Sequence, residues 1–313
     1  MRIQKFTGLM AATHTPFTAE GALRLDAISP LAAHLSAQNV HAVFIGGTTG
    51  EFESLTLAER LALAERWFAV VKERPMRIVV HVGSNCQEDA RVLAAQAEYL
   101  GAVGIAALAP SYFKPRSVGE LVRWCREIAA AAPETPFYYY DIPAMTGVVL
   151  PMAEFAAQAA DQIPTFAGIK YTSADLVNFQ LCRQVSGGRL DLLWGMDECL
   201  LAALALGARG CVGSTYNFAA PLYHRLLAAF EAGDLEAART EQLRSAQLVK
   251  ALADLGYFGA AKALMRMLGV DVGPARQPHA NPTAVQQQAL RERLQRLGFF
   301  DWIGQPSANA SAT

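Results

Sequence analysis

Short apolar runs alternate with longer amphipathic segments over most of the chain. The apolar runs predict eight β-strands, at residues 8–12, 42–45, 77–82, 104–108, 135–140, 166–169, 190–194 and 210–213. Between them, apolar residues recur at i, i+3, i+4 and i+7, a spacing typical of helices, in segments that include 57–71, 88–100, 118–131 and 174–185. Strands that are apolar throughout are buried on both faces, as parallel strands are. The alternation predicts an α/β protein with the (β/α)8 architecture of a TIM barrel.

The helical pattern continues beyond the eighth predicted strand, at 222–231, 235–255, 259–268 and 284–297. Together these segments are too long to form only the last helix of a barrel. We therefore expect a barrel over residues 1–232, a C-terminal helical extension over 233–300 and a disordered tail over 301–313, where small and polar residues dominate. A doubly wound sheet is the alternative, but no Gly-x-Gly-x-x-Gly follows the first strand.

Composition narrows the function classes. Of 313 residues, 52% are hydrophobic and 18% are charged, and the charged fraction is below the usual ~25%. Much of the chain is therefore expected to be interior or to lie against another subunit. The net charge of -1 offers no footprint for nucleic acid or an anionic membrane. No apolar run approaches the ~18 residues of a transmembrane helix, and the N-terminus lacks the apolar core of a signal peptide.

The cysteines point to a reducing compartment. Five cysteines lie far apart without a Cys-x-x-Cys pair, which favours neither a disulfide framework nor a zinc site. His14 and His81 lie near strand ends, but no carboxylate-histidine set with metal-ligand spacing accompanies them. We expect free thiols, a cytoplasmic location and no metal.

In a barrel of this kind the chemistry lies where the strands end. Lys170 follows the apolar run 166–169, and the chain contains only six lysines. A lysine amine is a poor nucleophile when protonated, and burial disfavours its charged form and allows attack on a carbonyl. The alternative is a lysine that reaches solvent or forms a salt bridge.

Hydroxyls, glycines and acids follow other strands. Residues 46–51 read GGTTGE, which suits either close approach to a carboxylate or an ordinary turn with helix caps. Alternation places Tyr138 and Tyr140 on one face of their strand, where packing is the alternative to a functional role. Asp197 and Glu198 suit sugar hydroxyls or a helix N-terminus, and residues 213–217 form another hydroxyl-bearing turn. Together these features favour Schiff-base chemistry on a keto acid.

These same residues carry a resemblance to a known family. The chain resembles the dihydrodipicolinate synthase/N-acetylneuraminate lyase family of pyruvate-dependent class I aldolases over about residues 6 to 300. The matching motifs are GGTTGE at 46–51, Tyr140 with Ile142 and Pro143, GIK at 168–170, and GS at 213–214.

Four longer matches resemble the lyase branch: YDIPAMTG at 140–147, KYTSADL at 170–176, GMDE at 195–198 and GSTYN at 213–217. The synthase branch instead carries an arginine near Met145 and lacks the Asp-Glu pair. Two residues depart from the lyase pattern. Met145 replaces leucine, a mild change. Asp141 replaces asparagine or histidine, and we expect it to place a charge near the site, which leaves the fine substrate preference open.

The resemblance implies a carbon-carbon lyase that reversibly cleaves N-acetylneuraminate to N-acetylmannosamine and pyruvate, with no cofactor. Its implied catalytic residues are Lys170 as the Schiff-base lysine, Tyr140 as the proton shuttle, Thr48 and, from a neighbouring subunit, Tyr112. The implied substrate-binding residues are Ala12, Thr48, Thr49, Thr172, Gly195, Asp197, Glu198 and Ser214. Relatives are commonly homotetramers built as dimers of dimers, and the same assembly is expected here.

Two alternatives stay open. One is a family aldolase or dehydratase acting on another 2-keto-3-deoxy sugar acid, or an enzyme similar to dihydrodipicolinate synthase. The other is a non-enzymatic protein that binds sugar acids on the same scaffold, which would explain a pocket but not Lys170.

Overall fold

Eight parallel strands close into a barrel in chain order. The computed structural model describes residues 5–304, and each strand pairs in parallel with the next, while the first also pairs with the last. The strands are β1 Gly8–Ala12, β2 Ala42–Ile45, β3 Arg77–His81, β4 Gly104–Ala107, β5 Phe137–Asp141, β6 Phe166–Tyr171, β7 Asp191–Trp194 and β8 Gly210–Gly213. The predicted (β/α)8 barrel is therefore confirmed.

Helices surround the barrel and continue beyond it. They are α1 Ile28–Ala37, α2 Leu57–Val71, α3 Gln87–Tyr99, α4 Val118–Ala129, α5 Pro143–Thr146, α6 Met152–Gln162, α7 Leu176–Gln184, α8 Leu200–Ala205, α9 Tyr216–Glu231, α10 Leu235–Ala253, α11 Tyr257–Met267, α12 Ala284–Leu297 and α13 Phe299–Trp302. Two begin with capping boxes, in which Thr56 and Thr283 bond to Glu59 and Gln286 three residues later.

The C-terminal helices pack on the barrel rather than apart from it. Helix α10 lies along α9 and also contacts the turn at residues 197–199. The division of the chain at residue 233 stays a prediction. The predicted tail began at 301, but α13 continues to Trp302 because Phe299 and Phe300 are buried. Residues 305–313 of that predicted tail lie outside the described residues.

Two apolar layers follow from the alternation of side chains along the strands. An inner layer fills the barrel and includes Phe44, Tyr138 and Tyr140. An outer layer lies between strands and helices and includes Phe137 and Tyr139. The period of two along β5 thus separates the side chains that can reach the barrel mouth from those that face the helices.

Strand β6 is longer than its apolar run indicates. The prediction ended it at residue 169, but pairing continues, with Lys170 opposite both Tyr140 and Leu193. Close approach to β7 depends on Gly168, because a Cβ there would overlap the backbone carbonyl of Asp191. The side chain of Lys170 is therefore carried by a paired strand and not by a loop.

Replacement of Gly168 should loosen this contact. We expect Gly168→Ala to lower the free energy of unfolding by about 1–3 kcal/mol, because the added methyl forces β6 from β7. Urea denaturation measures the change. As a matched control, Gly119→Ala in α4 meets no atom nearer than 3.7 Å and should stabilise the protein by about 0.5–1 kcal/mol. Equal stability of Gly168→Ala and wild type would contradict the close-approach argument.

Candidate active site

Strands β5 and β6 bring Tyr140 and Lys170 together at the barrel mouth. The two residues pair in register, and the Lys170 Nζ atom lies 3.6 Å from the centre of the Tyr140 ring and 4.3 Å from that of Phe44. Lys170 is only 3% exposed. Aromatic faces thus surround the amine on two sides.

Lys170 has no acidic partner among the residues that the structure describes. It takes part in none of the ion pairs formed within residues 5–304. The prediction of a buried strand-end amine is consistent with this placement, whereas the salt-bridge and solvent-exposed alternatives are wrong. An amine that no carboxylate holds in an ion pair is available to attack a carbonyl carbon.

The 46–51 loop lies beside Tyr140. The Thr48 hydroxyl is 3.2 Å from the Tyr140 hydroxyl. The backbone N–H groups of Thr48 and Thr49 meet no protein acceptor in the described part of the chain, whereas the Thr48 carbonyl accepts from Glu51 N at 2.9 Å. Two free amides next to two hydroxyls form a place where a carboxylate can bind without arginine.

Strand β3 and the loop after β1 hold the two ends of this loop. His81 Nδ1 lies 2.9 Å from the carbonyl oxygen of Gly46, and the Thr15 hydroxyl donates to the carbonyl of Gly50 at 2.7 Å. Burial lowers the pKa of His81 well below its usual value, aided by the charge of Arg60. His81 is therefore neutral and acts in hydrogen bonding, not as a charge.

An open cavity of about 380 Å³ surrounds Lys170. Its lining includes nearly all the site residues that the sequence predicts: Ala12, Thr48, Thr49, Tyr140, Lys170, Thr172, Gly195, Asp197, Glu198 and Ser214. Glycine is needed at residue 195, because a Cβ there would overlap the side chain of Thr172. The Thr172 hydroxyl is buried without a protein partner among the described residues, so it is free to bond a ligand.

Asp197 is more deeply fixed than its partner Glu198. The Thr215 backbone N–H and hydroxyl lie 2.9 and 2.6 Å from Asp197 Oδ2, while Oδ1 has no protein partner within the described chain. Burial raises the pKa of Asp197 to about 6, against the lowering effect of the bonds from Thr215. One oxygen is thus structural, and the other can accept from a ligand hydroxyl.

Three further lining residues come from the C-terminal helices and were missed by the sequence analysis. They are Val249 of α10 and Tyr257 and Phe258 of α11. The Tyr257 hydroxyl is 2.6 Å from the Ser214 hydroxyl, and the Phe258 ring stacks on His279 with centroids 4.2 Å apart. No strand-end signal marks these residues, since they follow from how the extension folds back over the barrel.

Tyr112 does not join the site within one chain. Its side chain is 79% exposed, and its backbone N–H donates to Asn85 Oδ1 at 3.1 Å. It packs edge to face on Phe113, which is 84% exposed. The cavity of the same chain lacks Tyr112 among its lining residues.

Asp141 points away from the cavity, which corrects the expectation of a charge beside the substrate. It follows Tyr139 by two residues on β5, pairs with Tyr171 and is 4% exposed, so it faces the helix layer with the outer residues. Burial, and secondarily the negative charge of Asp175, raise the pKa of Asp141 to about 7. Asp141 therefore bears on stability and not on the shape of the cavity.

The described part of the chain shows neither a candidate metal centre nor a candidate membrane span. Over residues 5–304 there is no group of three or more His, Cys, Asp or Glu side chains that could hold a metal ion. None of the helices that the structure describes is long and apolar enough to span a membrane.

Comparison with known proteins assigns the family. A model of the dihydrodipicolinate synthetase family matches residues 5–297. The chain belongs to this family. N-acetylneuraminate lyase from Rattus norvegicus is 38% identical over 313 residues, covering 99% of this chain and 98% of the rat protein.

Solved structures of the family agree with the assignment. N-acetylneuraminate lyase from Proteus mirabilis is 37% identical with a TM-score of 0.92, covering 95% of this chain and 100% of that chain. Dihydrodipicolinate synthase from Cyanidioschyzon merolae, with lysine bound, is 32% identical with a TM-score of 0.87, covering 94% and 99%. The resemblance drawn from the motifs is thus confirmed.

The raised pKa of Asp141 predicts a pH-dependent gain in stability on its replacement. Since the folded pKa of about 7 exceeds the ordinary 3.8, the stabilising contribution of this group is complete below about pH 4 and is lost as the pH rises to about 7. Asp141→Asn should therefore raise Tm relative to wild type more at pH 8 than at pH 5.

The exposed Asp161→Asn serves as the control, and thermal unfolding at the two pH values measures both variants. A Tm difference for Asp141→Asn that is the same at pH 8 and pH 5 would contradict the placement of this carboxyl group.

Proposed function

We propose that the protein is an N-acetylneuraminate lyase, which reversibly cleaves N-acetylneuraminate to N-acetylmannosamine and pyruvate. The observation that carries this proposal is Lys170, buried against two aromatic faces and without an ion-pair partner within residues 5–304. The cavity around it is also lined by Thr48 and Thr49, whose amides have no acceptor in that part of the chain, and by two acids. A pure binding protein for sugar acids would have no use for such an amine.

Lys170 is the nucleophile of the proposed reaction. Its amine attacks the C2 ketone of the open-chain sugar acid to give a carbinolamine. Tyr140 gives its proton to the departing hydroxyl, so that water leaves and an iminium ion and the Tyr140 phenolate remain. The phenolate then takes the proton of the C4 hydroxyl, and the C3–C4 bond breaks. Its electron pair passes to the iminium nitrogen, which yields an enamine and the aldehyde N-acetylmannosamine. The enamine is then protonated at C3, and water releases pyruvate and the free amine.

Tyr140 and Thr48 fit the proton transfer. Their hydroxyls are 3.2 Å apart, and Tyr140 lies directly over the amine of Lys170. A hydroxyl pair beside the reacting carbons can take the C4 proton and return one to C3. Thr48 and Thr49 would hold the C1 carboxylate through their amides and hydroxyls, which keeps the ketone over Lys170.

The part of the cavity lining formed by Thr172, Asp197, Glu198 and Ser214, here called the acidic wall, suits a polyol. Glu198 and the free oxygen of Asp197 would accept hydrogen bonds from sugar hydroxyls, and Thr172 and Ser214 can donate or accept. A wall of buried acceptors discriminates against aldehydes that lack matching hydroxyls. No arginine is among the described residues that line this cavity, and Met145 borders it instead, which favours the lyase over a synthase that binds a second carboxylate.

We also propose a cytoplasmic homotetramer, a dimer of dimers in which Tyr112 reaches the site of a neighbouring subunit. The adjacent exposed rings of Tyr112 and Phe113 support a contact with another copy. The five cysteines are all free, which suits a reducing compartment. Sedimentation equilibrium is expected to give four times the 33.7 kDa chain mass; a monomer would contradict this assembly.

Loss of Lys170 should abolish turnover. We expect Lys170→Ala to lower kcat by several orders of magnitude, because no other amine reaches the ketone. The matched control is replacement of the exposed Lys72 (Lys72→Ala), which should leave kcat at the wild-type value. A coupled assay for pyruvate release measures both, and full activity of Lys170→Ala would rule out the Schiff-base route.

An aldehyde panel in the synthesis direction identifies the sugar acid. With pyruvate, N-acetylmannosamine should give the highest kcat/KM, since the acidic wall matches its hydroxyls. Glyceraldehyde represents a 2-keto-3-deoxy sugar-acid aldolase, and aspartate semialdehyde represents a synthase. Product from glyceraldehyde with none from N-acetylmannosamine would overturn the lyase proposal.

A further inference from the structure

A second lysine is as deeply buried as Lys170 but lies outside the reaction described above. Lys262 belongs to α11 of the C-terminal extension, and its side chain is 1% exposed. Its Nζ atom lies 2.6 Å from Oε1 of Glu51, whose side chain is 0% exposed. Neither residue lines the cavity around Lys170.

The ammonium group of Lys262 joins three segments. Besides the ion pair with Glu51, it donates to the backbone carbonyl of Thr15 at 2.8 Å and to that of Pro274 at 2.9 Å. The ammonium group is thus held by two carbonyl oxygens and one carboxylate. The other oxygen of Glu51 accepts from the Arg276 backbone N–H at 2.8 Å. The loop after β1, the 46–51 loop and the segment after α11 meet at this one ion pair.

Glu51 occupies a backbone conformation that requires support. It is the last residue of the 46–51 loop and has φ of 56°, in the left-handed region that non-glycine residues rarely adopt. Its backbone N–H also donates to the Thr48 carbonyl. The side-chain contacts of Glu51 therefore support the turn that carries Thr48 and Thr49, two residues that line the cavity.

We propose that Lys262 and Glu51 are positioning residues for the substrate carboxylate: their buried ion pair ties the C-terminal extension to the 46–51 loop and holds the amides of Thr48 and Thr49 in place. This inference rests on the proposed function, because it assigns the loop the carboxylate of a 2-keto acid. Helix α11 also carries Tyr257 and Phe258, which line the cavity around Lys170, so the same helix contributes to the cavity and is tied to the 46–51 loop.

General stability is the competing explanation for the pair. Buried ion pairs stabilise little relative to apolar side chains of similar size, whereas removal of one partner leaves a costly unpaired charge. A pair with only that role would affect Tm and the folded fraction but not the KM for any substrate. A positioning pair affects the KM for the keto acid selectively.

The test uses steady-state kinetics of the full-length enzyme, with pyruvate and the best aldehyde of the panel. We expect Lys262→Met and Glu51→Gln each to raise the KM for pyruvate about tenfold, a loss of about 1.4 kcal/mol. The kcat and the KM for the aldehyde should change little, because Lys170 and the acidic wall are untouched. Glu51→Gln keeps the side-chain volume and the bond from Arg276, so it carries the test if Lys262→Met does not fold.

The double variant separates position from stability. Glu51→Gln with Lys262→Met leaves no unpaired buried charge, so its Tm should exceed that of Lys262→Met. The KM for pyruvate should nevertheless stay raised, because the tie between α11 and the loop is still absent.

Glu241→Gln is the matched control. Its carboxylate, only 9% exposed, pairs with Arg225 and Arg244 at 3.0 and 2.7 Å and lies on α10. This variant should lose stability without a change in the KM for pyruvate.

Two outcomes contradict different claims. If the wild type condenses pyruvate with an aldehyde but the folded Lys262 and Glu51 variants keep the wild-type KM for pyruvate, the positioning role is overturned and the lyase proposal stands. If the wild type condenses pyruvate with no aldehyde, the proposed function fails, and the inference that rests on it fails too.

Discussion

The register between β5 and β6 is the constraint on which the site depends. It sets Tyr140 opposite Lys170. On its other side β6 packs against β7, and that close approach depends on the absence of a side chain at Gly168. The carboxyl ends of the parallel strands all lie at one end of the barrel. Every other functional side chain is therefore placed relative to a pair whose spacing the sheet has already determined.

The charges of the site are kept apart. The amine of Lys170 is surrounded by the rings of Tyr140 and Phe44, and the acids Asp197 and Glu198 lie where they can meet a sugar without pairing with the amine. Backbone amides, which carry no charge to be neutralised by Lys170 or the acids, are left for the substrate carboxylate. In the proposed reaction, this separation would leave the amine free to react while the rest of the cavity orients a polyhydroxylated acid.

Much of this arrangement could be predicted from local sequence, because barrel strands are short apolar runs and their ends carry the chemistry. The eight strands, Lys170, Tyr140 and the 46–51 loop followed from that rule. Asp141 was misplaced, since adjacency to Tyr140 in sequence means opposite faces on a strand.

Residues brought in by tertiary folding could not be predicted in this way. Tyr257, Phe258 and Lys262 lie on a helix whose apolar pattern shows that it packs but not what it packs against. Lysine is rare in this chain, which makes Lys170 stand out at a strand end. The same rarity applies to Lys262 and does not distinguish the two residues. Only the path of the extension over the barrel shows that Lys262 meets Glu51, some two hundred residues earlier in the chain.

Borohydride reduction in the presence of pyruvate, followed by peptide mass spectrometry, shows whether Lys170 forms the Schiff base. Both Lys170 and Lys262 are buried, but of the two only Lys170 lines the cavity. We expect a reduced pyruvate adduct on the peptide that contains Lys170 and on no other lysine peptide. If Lys170 carries no adduct, or if Lys262 carries it instead, Lys170 is not the Schiff-base lysine.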